Sequence, residues 1–537
     1  MATLPPGVSS ADFSTALGQF AEAVGPDWVF SSDEDVALYR DAYSPFWGEE
    51  QELVASAAVS PTRVEEVQEV VRIANQYQIP LYPISTGKNL GYGGSAPSYS
   101  GSVVVDLKRM NRVLEINERN ASCLVEPGVS YFDLYRAIQD QGAKLWIDCP
   151  DPGWGSPIGN SLDHGLGYTM AQYRDHFDAH CGMEVVLANG EVLRTGMGAL
   201  PGSKTWQEYK YGFGPHIDGM FSQSNFGIVT KMGFWLAPEP EAFLHCQTKV
   251  YKYEDLIPLM DTVCHLANSG IMTGRGTFGS PLTRNSAKDP ALEELLSKPG
   301  GPDPRMLERY AAENDVPYWT TDLRFYGLEK ANEIHAEYAR EKFSAIPGAK
   351  FEEGPKYRFP LTPEQQKIAD HIVDFGIPNM TVFSGMAMQF RTSDNPNFGD
   401  LFFAAVIPKN GEAVFEAQRV FTEVASEFDL PLRFFSSLPS TWFPRATVML
   451  FSVPVSRNVE MNKKSRAAYQ RLVQVSEEHG WGEYRTAPAF QDMVMNAYSF
   501  NNNVLRRFHE TVKDAIDPNG ILSPGKSGIW PKRLRDA

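Results

Sequence analysis

The spacing of apolar and polar positions changes along the chain, and each change marks an element. Thr62-Arg63-Val64-Glu65 reads as a capping box, and it opens a stretch in which Val64, Val67, Val71 and Ala74 recur on one helical face. The apolar run from Ile79 to Ile84 predicts a strand after that helix. Further strands are expected at Ser102 to Leu107, near Val113 to Ile116 and at Lys144 to Cys149, with a helix near Tyr131 to Gln139. Met183 to Thr195 predicts a hairpin, because Asn189-Gly190 supplies the positive φ angles of a type I′ turn. Residues 1–240 therefore read as α/β. The run Leu236 to Glu241 marks a boundary, beyond which the pattern is less regular and is broken at Lys298 to Pro304 and Asp394 to Gly399. The mostly apolar Phe383 to Phe390 reads as core, with the lining of a pocket as the alternative. From about Thr486 a helix-rich tail leads to Asp517-Pro518-Asn519-Gly520 and then Gly525-Lys526.

Composition narrows the possibilities. A chain of 537 residues with 42% hydrophobic side chains exceeds one ordinary core, so two domains are expected. The net charge of −17 disfavours nucleic acid and anionic membrane surfaces as partners. Five cysteines, an odd number with no C-x-x-C pair, argue against a disulfide framework and structural zinc, and fit a reducing compartment. The N-terminus has neither a basic segment nor an apolar one, and no run of 18 apolar residues occurs, so a cytoplasmic protein is expected. His164, His176 and His180 match no metal-ligand spacing, and no metal is expected.

The segment richest in chemistry follows the first predicted strand. In Pro83-Ile-Ser-Thr-Gly87-Lys-Asn-Leu-Gly91-Tyr-Gly93-Gly94 four glycines permit backbone angles that a Cβ forbids, so that successive N–H groups can converge on one anion. The loop is a phosphate cradle by this reading. It is not a Walker A loop, lacking Lys-Ser/Thr after the last glycine, and its spacing is not G-x-G-x-x-G.

Other stretches share the chain with this loop. They are Gly159-Asn160 to Gly165-Leu-Gly167-Tyr168-Thr169, Gly182 to Gly190, Leu193 to Leu200, Tyr211 to Pro215, Phe221-Ser-Gln-Ser-Asn225-Phe-Gly227-Ile228-Val229, Gly482-Glu-Tyr484-Arg485-Thr486 and the Asp-Pro-Asn-Gly tail. Together they closely resemble the vanillyl-alcohol oxidase family of flavoproteins, in its branch that oxidises 4-substituted phenols. The resemblance implies an α+β, two-domain fold. An FAD-binding domain of the p-cresol methylhydroxylase type would use residues 1–240 and 486–537, and an α/β substrate-binding cap would use residues 241–485. It further implies that FAD is held by Ser85, Thr86, Gly87, Lys88, Asn89 and Gly91 of the loop. Pro150, Gly159, Asn160, Gly167, Tyr168, Asn225, Gly227, Ile228, Val229, Asp400 and Lys526 complete that implied set.

Tyr92, Tyr484 and Arg485 match the family's phenolate-binding trio. A phenol ionises near pH ~10 in water, so holding it as phenolate near neutrality needs about 3 to 4 kcal/mol, which a guanidinium and two phenolic donors can supply in a dry pocket. Phenolate electron density pushes a hydride off the para side-chain carbon and leaves a p-quinone methide. Asp151 matches the family's active-site aspartate, which can stabilise the quinone methide or act as base. Asp148 is the competing carboxylate.

Three positions depart from the family pattern. Trp154 stands where relatives commonly carry glycine, which leaves open whether it stacks on substrate or narrows the site. Asp400 occupies the position of the flavin-linking histidine; a carboxylate could form an aspartyl link, or FAD could be held without a covalent bond. Ala487 replaces a polar pocket group. The expectation is an FAD-dependent oxidase of para-substituted phenols that passes electrons to O2 as hydrogen peroxide, and forms a homodimer. The alternatives are a 4-cresol dehydrogenase-like protein serving a cytochrome, and an FAD-binding protein that has lost catalysis.

Overall fold

A computed structural model describes residues 3–285, 289–296, 302–369, 372–381, 399–430 and 443–535. The run Phe383 to Phe390, read above as core, lies outside them.

Strands on both sides of the glycine loop in sequence build a four-stranded sheet. Ala57–Val59 and Leu81–Ile84 both run parallel to Val103–Asp106, which lies between them, and Val29–Phe30 closes the edge antiparallel. Helix Val64–Tyr77 crosses from the first of these strands to the second and buries Val67, Val70, Val71, Ile73 and Ala74. Its start corrects the capping-box expectation. Arg63 is the N-cap and makes no side-chain cap bond, while Thr62 donates its N–H to Glu66, not to Glu65, at 2.7 Å. Glu66 is itself buried, so the carboxylate that points inward takes the donor and Glu65 stays in solvent.

Five antiparallel strands follow, in the order Val113–Asn117, Ser122–Val125, Ile228–Trp235, His180–Val186 and Val192–Arg194. The predicted hairpin is present with a different turn. Leu187 accepts from Gly190 N and donates to Glu191 O, and only Gly190 has positive φ (82°), so the loop is longer than a two-residue type I′ turn. Asn189 Oδ1 accepts from Glu191 N at 2.9 Å, a local bond that holds Asn189 out of the left-handed region. The strand expected over Lys144 to Cys149 shrinks to Leu145–Trp146, paired with Ala237–Pro238. Beyond it Cys149 joins a hydrophobic core, and the Asp148 side chain bonds to Thr169 and His176.

From Ala242 a second core forms. Strands Thr277–Gly279, Trp319–Gly327, Ala242–Val250 and Lys350–Arg358 pair antiparallel, and Gly399–Pro408 pairs with Ala446–Val455. Helices Leu256–Asn268, Glu329–Phe343, Gly411–Glu427 and Val459–Glu478 pack on them around Phe325, Phe343, Phe403, Phe421 and Tyr469.

The tail returns to the first sheet. Leu81 N donates to Ile521 O at 2.7 Å and Ser523 N to Leu81 O at 2.8 Å, and Ile521 and Leu522 enter the core of that sheet. Lys513, fully buried, pairs with Asp517 at 2.7 Å and donates to Asn225 O and Leu522 O at 2.7 and 2.6 Å. Satisfying all these bonds lets a buried ammonium survive, although burial lowers its pKa to about 8.

Candidate active site

A cavity of about 350 Å³ lies where the glycine loop, helix Pro157–Leu162, the start of strand Ile228–Trp235 and strand Gly399–Pro408 converge. Ser85, Thr86, Gly87, Lys88, Asn89, Pro150, Gly159, Asn160, Tyr168, Gly227, Val229, Asp400 and Lys526 line it, together with Tyr92, Asp151, Tyr484 and Arg485. Among the described residues the N–H groups of Thr86, Gly87, Lys88 and Asn89 make no hydrogen bond. Four consecutive free donors beside a lysine fit the diphosphate of FAD.

Four residues of the implied set do not line the cavity, each for a packing reason. A Cβ on Gly91 would lie 2.4 Å from the Phe402 ring, so this glycine lets the loop press against strand Gly399–Pro408. Gly167 abuts Asp148 and His176. Asn225 spends its amide on the tail, donating to Ser523 O and Ile529 O at 3.0 and 2.9 Å. Ile228 points into the core of the first sheet, since strand alternation turns Gly227 and Val229 to the cavity and the residue between them away.

Tyr92, Tyr484 and Arg485 meet. The Arg485 guanidinium carbon lies 3.9 Å from the centroid of the Tyr92 ring and 5.5 Å from that of Tyr484. Burial, with Tyr484 beside it, pushes the Tyr92 phenol well up against the opposing pull of Arg485, so Tyr92 stays a neutral donor. Arg485 remains charged despite burial because Tyr484, Tyr92 and Asp163 surround it. Main-chain bonds fix this corner, with Tyr484 N donating to Ala404 O at 3.1 Å and Gln223 Nε2 donating to Tyr484 O at 2.7 Å.

The two candidate aspartates separate by environment. Asp151 lines the cavity and accepts from Thr381 Oγ1 at 2.8 Å. Asp148 is absent from the lining. It accepts from Thr169 N at 2.7 Å and from the Thr169 hydroxyl, and lies 3.0 Å from His176 Nε2, whose Nδ1 is 3.0 Å from the Tyr131 hydroxyl. A carboxylate so fully engaged organises the wall. Trp154 is also absent from the lining, and Lys88 Nζ sits 5.0 Å above its ring. His180 is tied to buried Asp218 at 3.0 Å. Among the described residues no group of three or more His, Cys, Asp or Glu could hold a metal.

Asp400 is buried in the cavity wall, and among the described residues its Oδ1 has no hydrogen-bond partner. Burial raises its pKa to about 8, so the group is mostly a neutral acid at pH 7.

Sequence reasoning missed Asp163, Gln223 and Phe402. Asp163 caps the C-terminus of helix Pro157–Leu162 and lies 3.8 Å from Arg485 and 3.6 Å from Lys526. Its position between Asn160 and Gly165, inside a motif already singled out, was the available signal. Phe402 packs against Tyr92 with ring centroids 5.5 Å apart. Gln223 likewise sits inside the singled-out stretch Phe221 to Val229, whereas nothing local marks Phe402.

Comparison with known proteins agrees with this architecture. Residues 55–196 match the FAD binding domain family model. The chain is 32% identical over 536 residues to the 4-cresol dehydrogenase [hydroxylating] flavoprotein subunit of Pseudomonas putida, covering 98% of each. The structure of 4-ethylphenol oxidase from Gulosibacter chungangensis in its isoeugenol complex superposes with a TM-score of 0.86 at 37% identity, over 99% of this chain and 100% of that one. That of p-cresol methylhydroxylase with substrate bound gives 0.85 at 32%, over 98% and 99%.

Proposed function

The chain belongs to the vanillyl-alcohol oxidase and p-cresol methylhydroxylase family, in the branch of FAD-dependent para-phenol oxidoreductases, and from this premise we propose that it is an oxidase of 4-substituted phenols. The observation that carries the reading is the stacking of Arg485 on Tyr92 beside Tyr484, in the cavity that Asp151 also lines.

In this reading Arg485, Tyr92 and Tyr484 receive the phenol oxygen and stabilise it as phenolate, which raises electron density at the para carbon. FAD, when bound, would supply the acceptor for the hydride that leaves the para side chain and the route by which two electrons reach O2 as hydrogen peroxide. Asp151 stabilises the resulting p-quinone methide and takes a proton from an attacking water or a substrate hydroxyl. The loop N–H groups from Thr86 to Asn89 hold the diphosphate, and Lys526 adds a positive charge from the tail. Residues 1–240 with 486–537 would bind FAD, while 241–485 would cap the substrate. The neutral state of Asp400 favours FAD held without a covalent bond, since a protonated carboxyl is a poor nucleophile.

A cytochrome-coupled dehydrogenase is the second reading, favoured by the full-length similarity to the Pseudomonas putida flavoprotein subunit. Mixing the purified holoprotein with 4-ethylphenol, vanillyl alcohol and eugenol without air, then admitting air, separates the readings. Bleaching followed by rapid recovery with peroxide supports the oxidase; slow recovery supports the dehydrogenase; no bleaching by any of the three defeats both. No described helix is long and apolar enough to cross a membrane. A cytoplasmic homodimer remains our proposal.

A further inference from the structure

Two buried cations share one carboxylate at the edge of the cavity. Arg485 enters from the end of the cap segment and Lys526 from the tail, with side chains only 14% and 19% exposed. Like charges so placed repel strongly where water is scarce. Asp163 stands between them, its Oδ2 3.8 Å from Arg485 Nε and its Oδ1 3.6 Å from Lys526 Nζ, while Asn89 Nδ2 donates to Oδ2 at 2.8 Å and fixes the carboxylate plane. His164 is the other titratable group beside it. Tyr92 and Tyr484 face Arg485, and Tyr82 faces Lys526. Burial would raise the Asp163 pKa, but Lys526 and then Arg485 outweigh it and hold the carboxyl below the usual range.

We propose that Asp163 is a positioning residue that holds Arg485 and Lys526 side by side, and that its negative charge limits how tightly the site grips a phenolate. The second half rests on the phenolate reading above. Arg485 has other anchors, namely the Tyr92 ring and the Asp163 main-chain carbonyl, to which Nη1 donates at 3.4 Å. Neutralising the side chain therefore leaves the guanidinium in place and removes its counter-charge. An incoming phenolate then meets Arg485 without the carboxylate that balanced its charge.

The test uses the holoprotein and 4-nitrophenol, which has no side-chain hydrogen to lose and whose colour reports ionisation. In Asp163→Asn with its flavin spectrum intact, the pKa of the bound probe should fall by about one unit relative to wild type, with roughly tenfold tighter phenolate binding. For an oxidisable phenol both kcat and KM should fall, and Asp163→Glu should restore the bound pKa. An unchanged or raised bound pKa in Asp163→Asn overturns the charge-limiting role. A wild-type protein that does not depress the probe's pKa at all defeats the phenolate reading instead.

Thermal unfolding tests the first half without phenol. Asp163→Asn should lower Tm, and adding Lys526→Met should recover part of the loss, because the unpaired cation is then gone. Strictly additive losses, or failure of both variants to fold, would leave Asp163 a purely structural residue and end the proposal.

Discussion

The Arg485 guanidinium carbon lies 3.9 Å from the centroid of the Tyr92 ring, although Tyr92 belongs to the glycine loop and Arg485 to a segment remote from it in the chain. This contact puts a guanidinium beside two phenols at the cavity wall, and the proposed phenolate site rests on it.

Arg485→Ala should keep bound FAD and fold, yet lose roughly 10²–10³ in kcat/KM for a 4-alkylphenol, the usual cost of removing one group that stabilises developing charge. Stopped-flow reduction of the flavin would measure it. A variant that turns over normally would remove the phenolate trio from the mechanism.

Gly91→Ala tests how the loop presents Tyr92. The residue has φ of +77° and no room for a Cβ beside Phe402, the ring that packs on Tyr92. A loss of roughly 1–3 kcal/mol in stability is expected, with a raised KM as Tyr92 is displaced. Thermal melting and steady-state kinetics read the two effects separately.

Glu483, buried and accepting from the Tyr469 hydroxyl, has a pKa raised to about 8 from 4.5, chiefly by burial. The folded protein thus keeps a proton that the unfolded chain releases. Stability is fully present below about pH 4.5 and is lost progressively as pH rises towards 8. Glu483→Gln, which keeps an acceptor for Tyr469, should remove that loss, so its Tm advantage over wild type should grow between acidic and mildly alkaline buffer. An advantage that is constant with pH would show that Glu483 is ionised in the fold.

Acid precipitation should release FAD into the supernatant, and Asp400→Asn should behave in the same way. Flavin that stays with the wild-type pellet but leaves the Asp400→Asn pellet would instead establish an aspartyl link.

Much of this was legible in the residues. The glycine loop and the strand before it are local signals, because turn chemistry and apolar spacing act over a few neighbours, whereas Tyr484-Arg485 was marked by the family resemblance. Helix Val64–Tyr77 and strand Leu81–Ile84 follow from their own patterns within two residues. What the tertiary structure decided is which side chains share a cavity. Asp148 and Asp151 are near neighbours in the same turn-rich segment, yet one is consumed by Thr169 and His176 while the other faces the cavity. Ile228 and Val229 are adjacent, yet the pleat sends them to opposite sides. Asp163 meets Arg485 and Lys526 only because two segments remote in the chain return to it. Charge balance and burial depend on groups remote in the chain, and these meet only after folding, so no local pattern could have announced them.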